Sequence, residues 1–260
     1  RGESDLAKQH WRKAEKYFES AAQMRPGSLE SMQGQFDIAI KTQNWSRAEE
    51  IIDQLRQQKS FESMLYEGLL NLRRKQWEEA VHQLEGYLRE RPISLIGHAS
   101  LARAYQALGR WDSAMEEARL AWSYDVNNVS TLRLLMGLLH RQNQRMASKV
   151  GWEKLDSKRI AEIISTINRI IKAKPDDPDT MSLQVIYYPL WIRYQLNQLK
   201  ALSQIKLEQK AQALEKISKL QKIVENICQR LTEKNPQDVV NWLRWAQANY
   251  QYYQAVWEPK

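Results

Sequence analysis

A single cysteine, Cys228, stands in 260 residues, so no internal disulfide framework exists. It lies on an apolar stripe with Val224, Ile227 and Leu231 and reads as a small buried hydrophobe. No apolar run approaches the roughly 18 uninterrupted residues that cross a bilayer, and no short apolar segment follows a basic start as in a signal peptide. The four histidines, His10, His82, His98 and His140, lie far apart and form no two-histidine helix motif, so no metal site is expected. Glycine-rich nucleotide loops and the Gly-x-Ser-x-Gly elbow are missing too. The chain is therefore expected to be neither an enzyme nor a holder of cofactors. It begins at Arg1 without methionine and reads as a soluble excised or processed piece that lacks its own targeting signal.

Only nine glycines and seven prolines interrupt the chain, and 43% of it is apolar against 27% charged, enough for a large continuous helical core and with no sign of a sheet. Trp11, Trp45, Trp77 and Trp111 recur at intervals of about 34 residues, each followed three positions later by Ala14, Ala48, Ala80 or Ala114. Trp111, Ala114, Ala118 and Ala121 share one helix face, as do Trp11, Ala14, Phe18 and Ala21. Upstream of Trp111 a second stripe, Leu101, Ala102, Tyr105 and Leu108, ends at Gly109, where a turn between helices needs glycine. Each unit is thus helix, turn, helix. Pro26 and Pro92 close two units, and Pro175 and Pro236 close two later ones.

This pattern resembles the tetratricopeptide repeat family, best over residues 95 to 128, across about 1 to 140 as a whole, and more loosely to the end. The usual leucine-glycine pair is replaced by Gln35-Phe36, Glu67-Gly68 and Leu101-Ala102. The resemblance implies an all-α fold, a right-handed α-solenoid of tetratricopeptide-like helix-turn-helix repeats. It further implies a concave groove lined by fixed positions of the first helices: Gln33, Asp37 and Lys41, then Glu62, Leu69 and Arg73, then Ala99, Arg103 and Gln106, then Arg133, Gly137 and His140. Arg73, Arg103 and Arg133 would form a cationic strip suited to carboxylates. The alternative is that these arginines pair with neighbouring acids of the chain itself. The asparagines with which some repeats clamp chaperone tails are replaced here by residues such as Asp37, Gly34 and Tyr66, which disfavours that ligand.

After residue 140 the period breaks. Leu132, Leu135, Met136 and Leu139 suit the first helix of a fifth unit and Ile160, Ile163, Ile167 and Ile170 its second. Arg141 to Leu155 then reads as a basic inserted surface loop with an exposed Trp152, inside an irregular repeat over 141–178. Between Pro175 and Pro236 the spacing is long and glycine-free, which predicts one elongated helical hairpin over 179–236. Leu207, Leu214, Ile217, Val224, Ile227 and Leu231 form its seam, the first arm is aromatic at Tyr187, Tyr188, Leu190, Trp191 and Tyr194, and Pro189 should kink that arm. Residues 237–260, with Trp242, Trp245, Tyr250, Tyr252, Tyr253 and Trp257, read as a capping or truncated-repeat helix.

Charge follows the same division. Residues 141 to 236 hold 18 Lys and Arg against 10 Asp and Glu, while the remainder balances. The acidic pairs Glu49-Glu50, Glu78-Glu79 and Glu116-Glu117 recur at one repeat position, which suits solvated faces better than acid/base catalysis. The expected function is a non-catalytic scaffold that holds a protein or an acidic, extended peptide in the groove, with the basic hairpin as a further docking surface. Two alternatives stand beside it: a nucleic-acid-binding repeat protein, and the docking part of a larger enzyme or a bacterial envelope machine for secretion, pili or polysaccharide export.

Overall fold

The computed structural model describes residues 2–175, 177–201, 207–234 and 237, so the aromatic stretch from Trp242 lies outside the described residues. The chain forms two compact units, Arg1–Val126 and Asn127–Lys260. The described residues are helical and contain no strand.

The first unit consists of α1(Gly2–Met24), α2(Leu29–Thr42), α3(Trp45–Gln57), α4(Glu62–Arg74), α5(Trp77–Glu90), α6(Leu95–Ala107) and α7(Trp111–Tyr124). Each helix packs on its chain neighbour, and α2, α4 and α6 also lie side by side. The recurring tryptophan opens the second helix of each hairpin at Trp45, Trp77 and Trp111, and the alanine one turn on is fully buried at Ala48, Ala80 and Ala114. A methyl at that position lets the facing helix approach closely, and the indole one turn before it is half-buried. Two of the rings also take a cation from the following first helix, Lys41 Nζ at 4.1 Å from Trp11 and the Arg74 guanidinium at 5.9 Å from Trp45. Between α2 and α4, Phe36 stacks on Tyr66 with centroids 4.6 Å apart.

Helix starts are marked by side-chain caps: Ser28 accepts from Ser31 N, Asn44 from Arg47 N and Ser94 from Gly97 N. Helix ends are left-handed at Gln43 (φ 57°) and Lys75 (φ 62°), and Gly109 takes the same conformation (φ 73°) in the turn before Trp111. Only the third turn uses the residue that adopts this conformation without a Cβ clash. Replacing Lys75 with glycine is accordingly expected to stabilise the first unit by about 0.5–1 kcal/mol. Urea unfolding midpoints check this, and a lower midpoint for the variant would show that the Lys75 side chain contributes more than its backbone strain costs.

The second unit holds α8(Val129–Val150), a short 3-10 turn Trp152–Lys154, α9(Ser157–Ala173), α10(Pro178–Ala201) and α11(Leu207–Lys234). Leu132, Leu135, Met136 and Leu139 of α8 and Ile160, Ile163, Ile167 and Ile170 of α9 are all buried, as the fifth unit requires. The inserted loop expected over Arg141 to Leu155 is instead largely helix, because α8 runs on to Val150. Nothing between 141 and 150 breaks a helix, and the buried stripe continues through Asn143 and Ala147 until Gly151 (φ 88°) ends it. Trp152 is half-buried rather than exposed, because its ring lies 6.3 Å from His140 and 5.9 Å from Tyr187.

At 24 and 28 residues, α10 and α11 are roughly twice as long as the 13- and 14-residue helices of the regular hairpins. Pro189 sits inside α10 without interrupting it. The expected seam holds at Ile217, Val224 and Ile227, which are buried, and Ile217 joins Ile192 and Leu196 of α10 in one apolar cluster. Leu214 is exposed. Cys228 is buried with the seam.

Candidate functional site

In the first unit the adjacent helices α2, α4 and α6 bring candidate groove residues together. Asp37 on α2 has Lys41 and Arg73 as its charged neighbours, and Arg73 on α4 is in turn the charged neighbour of Arg103 on α6. Desolvation pushes the Asp37 carboxyl above its ordinary value, while Lys41 and Arg73 pull the other way. Gln33 is exposed on the same helix, and Lys41 is held over the Trp11 ring.

Arg73 and Arg103 flank a cleft of about 540 Å³ lined also by Leu69, Leu72, Trp77, Ser100, Gln106 and Ala107. Arg103 is exposed as a residue, yet the protein gathered around it partly desolvates the guanidinium, and Arg73 adds like-charge repulsion. Together these hold its pKa below the usual arginine value. Among the described residues it makes one hydrogen bond, a long one from Nη1 to Ala99 O at 3.4 Å. Among the described residues, neither Arg73 nor Arg103 forms an ion pair, whereas Arg47, Arg56, Arg74 and Arg110 of the same unit each hold a carboxylate. The cleft therefore offers two donor forks over an apolar floor.

Glu62 stands at the opposite end of α4 from Arg73. Tyr87 OH donates to Glu62 Oε1 at 3.4 Å, and burial first, then Glu62 and Asp37, push the Tyr66 hydroxyl far above its ordinary value. Leu72, Trp77 and Ser100 escaped sequence reading as cleft residues. Trp77 was legible only as a packing residue, since its period says nothing of the flank it leaves open.

The remaining candidates belong to the second unit and are engaged there. Arg133 forms a close ion pair with Asp177, whose side chain is almost wholly buried and also accepts from Thr180 N at 3.1 Å and Thr180 Oγ1 at 2.6 Å. His140 Nδ1 lies 3.0 Å from Tyr187 OH, inside the aromatic group with Trp152. Gly137 is exposed, and a Cβ there would meet nothing within 4 Å.

The acidic pairs divide. Glu49, Glu50, Glu78 and Glu79 are exposed, but Glu117 is half-buried with Oε2 at 2.6 Å from His98 Nδ1, while His98 Nε2 faces Pro92 O at 2.9 Å. On α11, Lys216, Lys219 and Lys222 are exposed, and Lys219 pairs with Glu215 one turn away. Among the described residues no cluster of His, Cys, Asp or Glu is placed to hold a metal ion, and no helix is long and apolar enough to cross a membrane.

Consecutive helix hairpins with side-by-side first helices, the second helices of three of them opening at Trp45, Trp77 and Trp111, make up a fold of the tetratricopeptide repeat type. Solved structures of that fold are its neighbours. PilF of Pseudomonas aeruginosa superposes with a TM-score of 0.57 at 12% identity, over 96% of this chain and 94% of PilF. A tetratricopeptide repeat protein of Parabacteroides merdae gives 0.50 at 13% identity, over 85% of this chain and 72% of its own. Human IFIT1, solved as a dimer with m7Gppp-AAAA, gives 0.53 at 12% identity over 95% and 67%. No family model and no curated protein matches the chain.

Proposed function

We propose that the protein is a non-catalytic scaffold whose first unit holds an acidic, extended segment of a partner protein on the face of α2, α4 and α6. One observation carries the reading: Arg73 and Arg103 are like-charged neighbours over one cleft, and among the described residues neither is held in an ion pair, Asp37 acting on Arg73 only from a distance. Such a pair is costly alone and is relieved by an incoming carboxylate, which can accept two parallel bonds from a guanidinium. Leu69, Leu72 and Trp77 supply the apolar floor that removes part of the ligand from water. Glu62, at the opposite end of α4 from Arg73, sets a direction, because it disfavours a second acidic group there.

Selection of a displayed library of random 12-residue peptides on the whole chain tests this. Peptides enriched in Asp and Glu are expected, and Arg73→Glu with Arg103→Glu should weaken the selected peptides about 100-fold, since both charge partners are reversed at a partly desolvated site. Binding should also weaken as salt rises. Selected peptides whose affinity ignores both substitutions would remove the groove from the function.

A further inference from the structure

Of the four histidines only His98 is buried, with 9% of its side chain exposed. It stands in the first turn of α6, opposite Glu117 of α7. Both of its ring nitrogens end at acceptors: Nδ1 lies 2.6 Å from Glu117 Oε2, and Nε2 lies 2.9 Å from Pro92 O in the turn before α6. Neither a carbonyl oxygen nor an ionised carboxylate has a proton to give. A neutral imidazole carries a single N–H, so it would leave one lone pair aimed at one of these oxygens. The imidazolium, with an N–H on each nitrogen, satisfies both. Glu117, with 19% of its side chain exposed, supplies the counter-charge at a distance short enough for a charge-assisted bond.

The other ionisable groups around α6 are engaged elsewhere. From α7, Tyr124 lays its ring 5.5 Å from that of His98 and donates from its hydroxyl to the same Pro92 O at 3.1 Å. From α5, Glu85 accepts from Tyr105 OH at 2.5 Å, and Tyr87 OH donates to Glu62 of α4 at 3.4 Å. Arg73 of α4 is the charged neighbour of Arg103, further along α6. Arg91 of the turn is exposed. Glu117 is thus the carboxylate within hydrogen-bond reach of the His98 ring.

We infer that His98 is held as the imidazolium and acts as a pH-operated latch, which fastens the start of α6 to α7 and to the turn at Pro92 and loosens as pH rises. Loss of the Nε2 proton leaves a lone pair against Pro92 O, and loss of the Nδ1 proton leaves one against Glu117. One of the two contacts must open in either case. Tyr124 still holds Pro92 O, so the hairpin loosens rather than unfolds. The sign follows from linkage. The folded chain keeps a proton that an unfolded histidine, titrating at about pH 6.5, has mostly released by pH 7.5, so stability falls as pH rises. The latch shares no residue with the groove and does not depend on the groove reading.

The experiment uses the whole chain, labelled with 15N. Long-range 1H–15N correlation spectra separate the imidazolium from the two neutral tautomers, and a His98→Gln variant assigns the His98 signals by their loss. At pH 7.5 the wild-type ring is expected to show both nitrogens protonated. Glu117→Gln should turn it into the neutral Nε2–H tautomer, because the new amide NH2 donates to Nδ1 while Nε2–H keeps Pro92 O, and a neutral ring then satisfies every group. The urea midpoint of the wild type should fall by about 0.5 M from pH 6.5 to pH 8.5, and that of Glu117→Gln by less than half as much. A neutral His98 ring in the wild type at pH 7.5 overturns the proposal, whatever the stability of the variants. An unchanged pH slope in Glu117→Gln overturns it as well.

Discussion

Truncating Leu84 to alanine is expected to destabilise the first unit by about 3 kcal/mol, and Gly68→Ala in that background to restore part of the loss. Leu84 on α5 is fully buried in the core built from α2 to α6, and a Cβ placed on Gly68 of α4 would lie 2.6 Å from Leu84 Cγ and 2.8 Å from Cδ2. In the parent chain Gly68→Ala therefore meets two opposed effects. Alanine improves helix propensity by about 1 kcal/mol, and the clash with a side chain that has nowhere to move costs about 2 kcal/mol. The clash wins. Once Leu84 is truncated, the added methyl enters the cavity left behind, and only the propensity gain remains. Urea unfolding of the four corners of this cycle should give a coupling of about 2 kcal/mol. Additivity within about 0.5 kcal/mol would show that Gly68 is not retained for the approach of Leu84.

The tryptophan period shows why so much of the first unit was legible in the sequence. Each unit must bury the same faces against the next, so the same residue types return at the same offsets, and Trp45, Trp77 and Trp111 open their helices where the pattern puts them. Gly109 marks its turn openly, whereas Gln43 and Lys75 occupy equivalent left-handed positions that propensity alone would not assign. Beyond residue 140 local chemistry misled. The cluster Arg141, Arg145 and Lys149 suggests a loop, but lysine and arginine are good helix formers, and the decisive residues were the buried Asn143 and Ala147 one turn apart. The candidate site divides for a related reason. Position in the repeat places Arg73, Arg103 and Arg133 alike, yet among the described residues only Arg133 of the three forms an ion pair, with Asp177, 44 residues away. No local pattern encodes a pairing between elements so far apart. The same holds for His140, whose partner Tyr187 lies 47 residues on.

Removal of the Asp177 carboxylate should be felt throughout the second unit. Asp177 precedes α10 and accepts from both the backbone and the hydroxyl of Thr180, while its other oxygen holds Arg133 of α8, so one side chain caps one helix and ties it to another. Loss of the cap costs about 1 kcal/mol, and the stranded Thr180 hydroxyl and Arg133 guanidinium bring the expected total for Asp177→Ala to about 3 kcal/mol. Arg133 is partly open to water and can retreat there, which keeps the figure below that of a fully buried broken pair. The same geometry sets a pH dependence. Burial pushes the Asp177 carboxyl up, but the bonds from Thr180 Oγ1, Arg133 and Thr180 N together outweigh it and hold the pKa below the ordinary carboxylate value. A group whose pKa is lower in the folded state contributes fully above its unfolded value, about 3.9, and loses that contribution as pH falls through the folded one. The wild-type protein should therefore lose stability below about pH 4. Asp177→Asn keeps an acceptor for the cap but cannot titrate, so it should lie between wild type and Asp177→Ala at pH 6 and show a shallower loss in acid. Urea midpoints at pH 6, 4 and 3 measure both effects, and an Asp177→Asn variant with the full acid sensitivity of the wild type would place that sensitivity on other carboxylates.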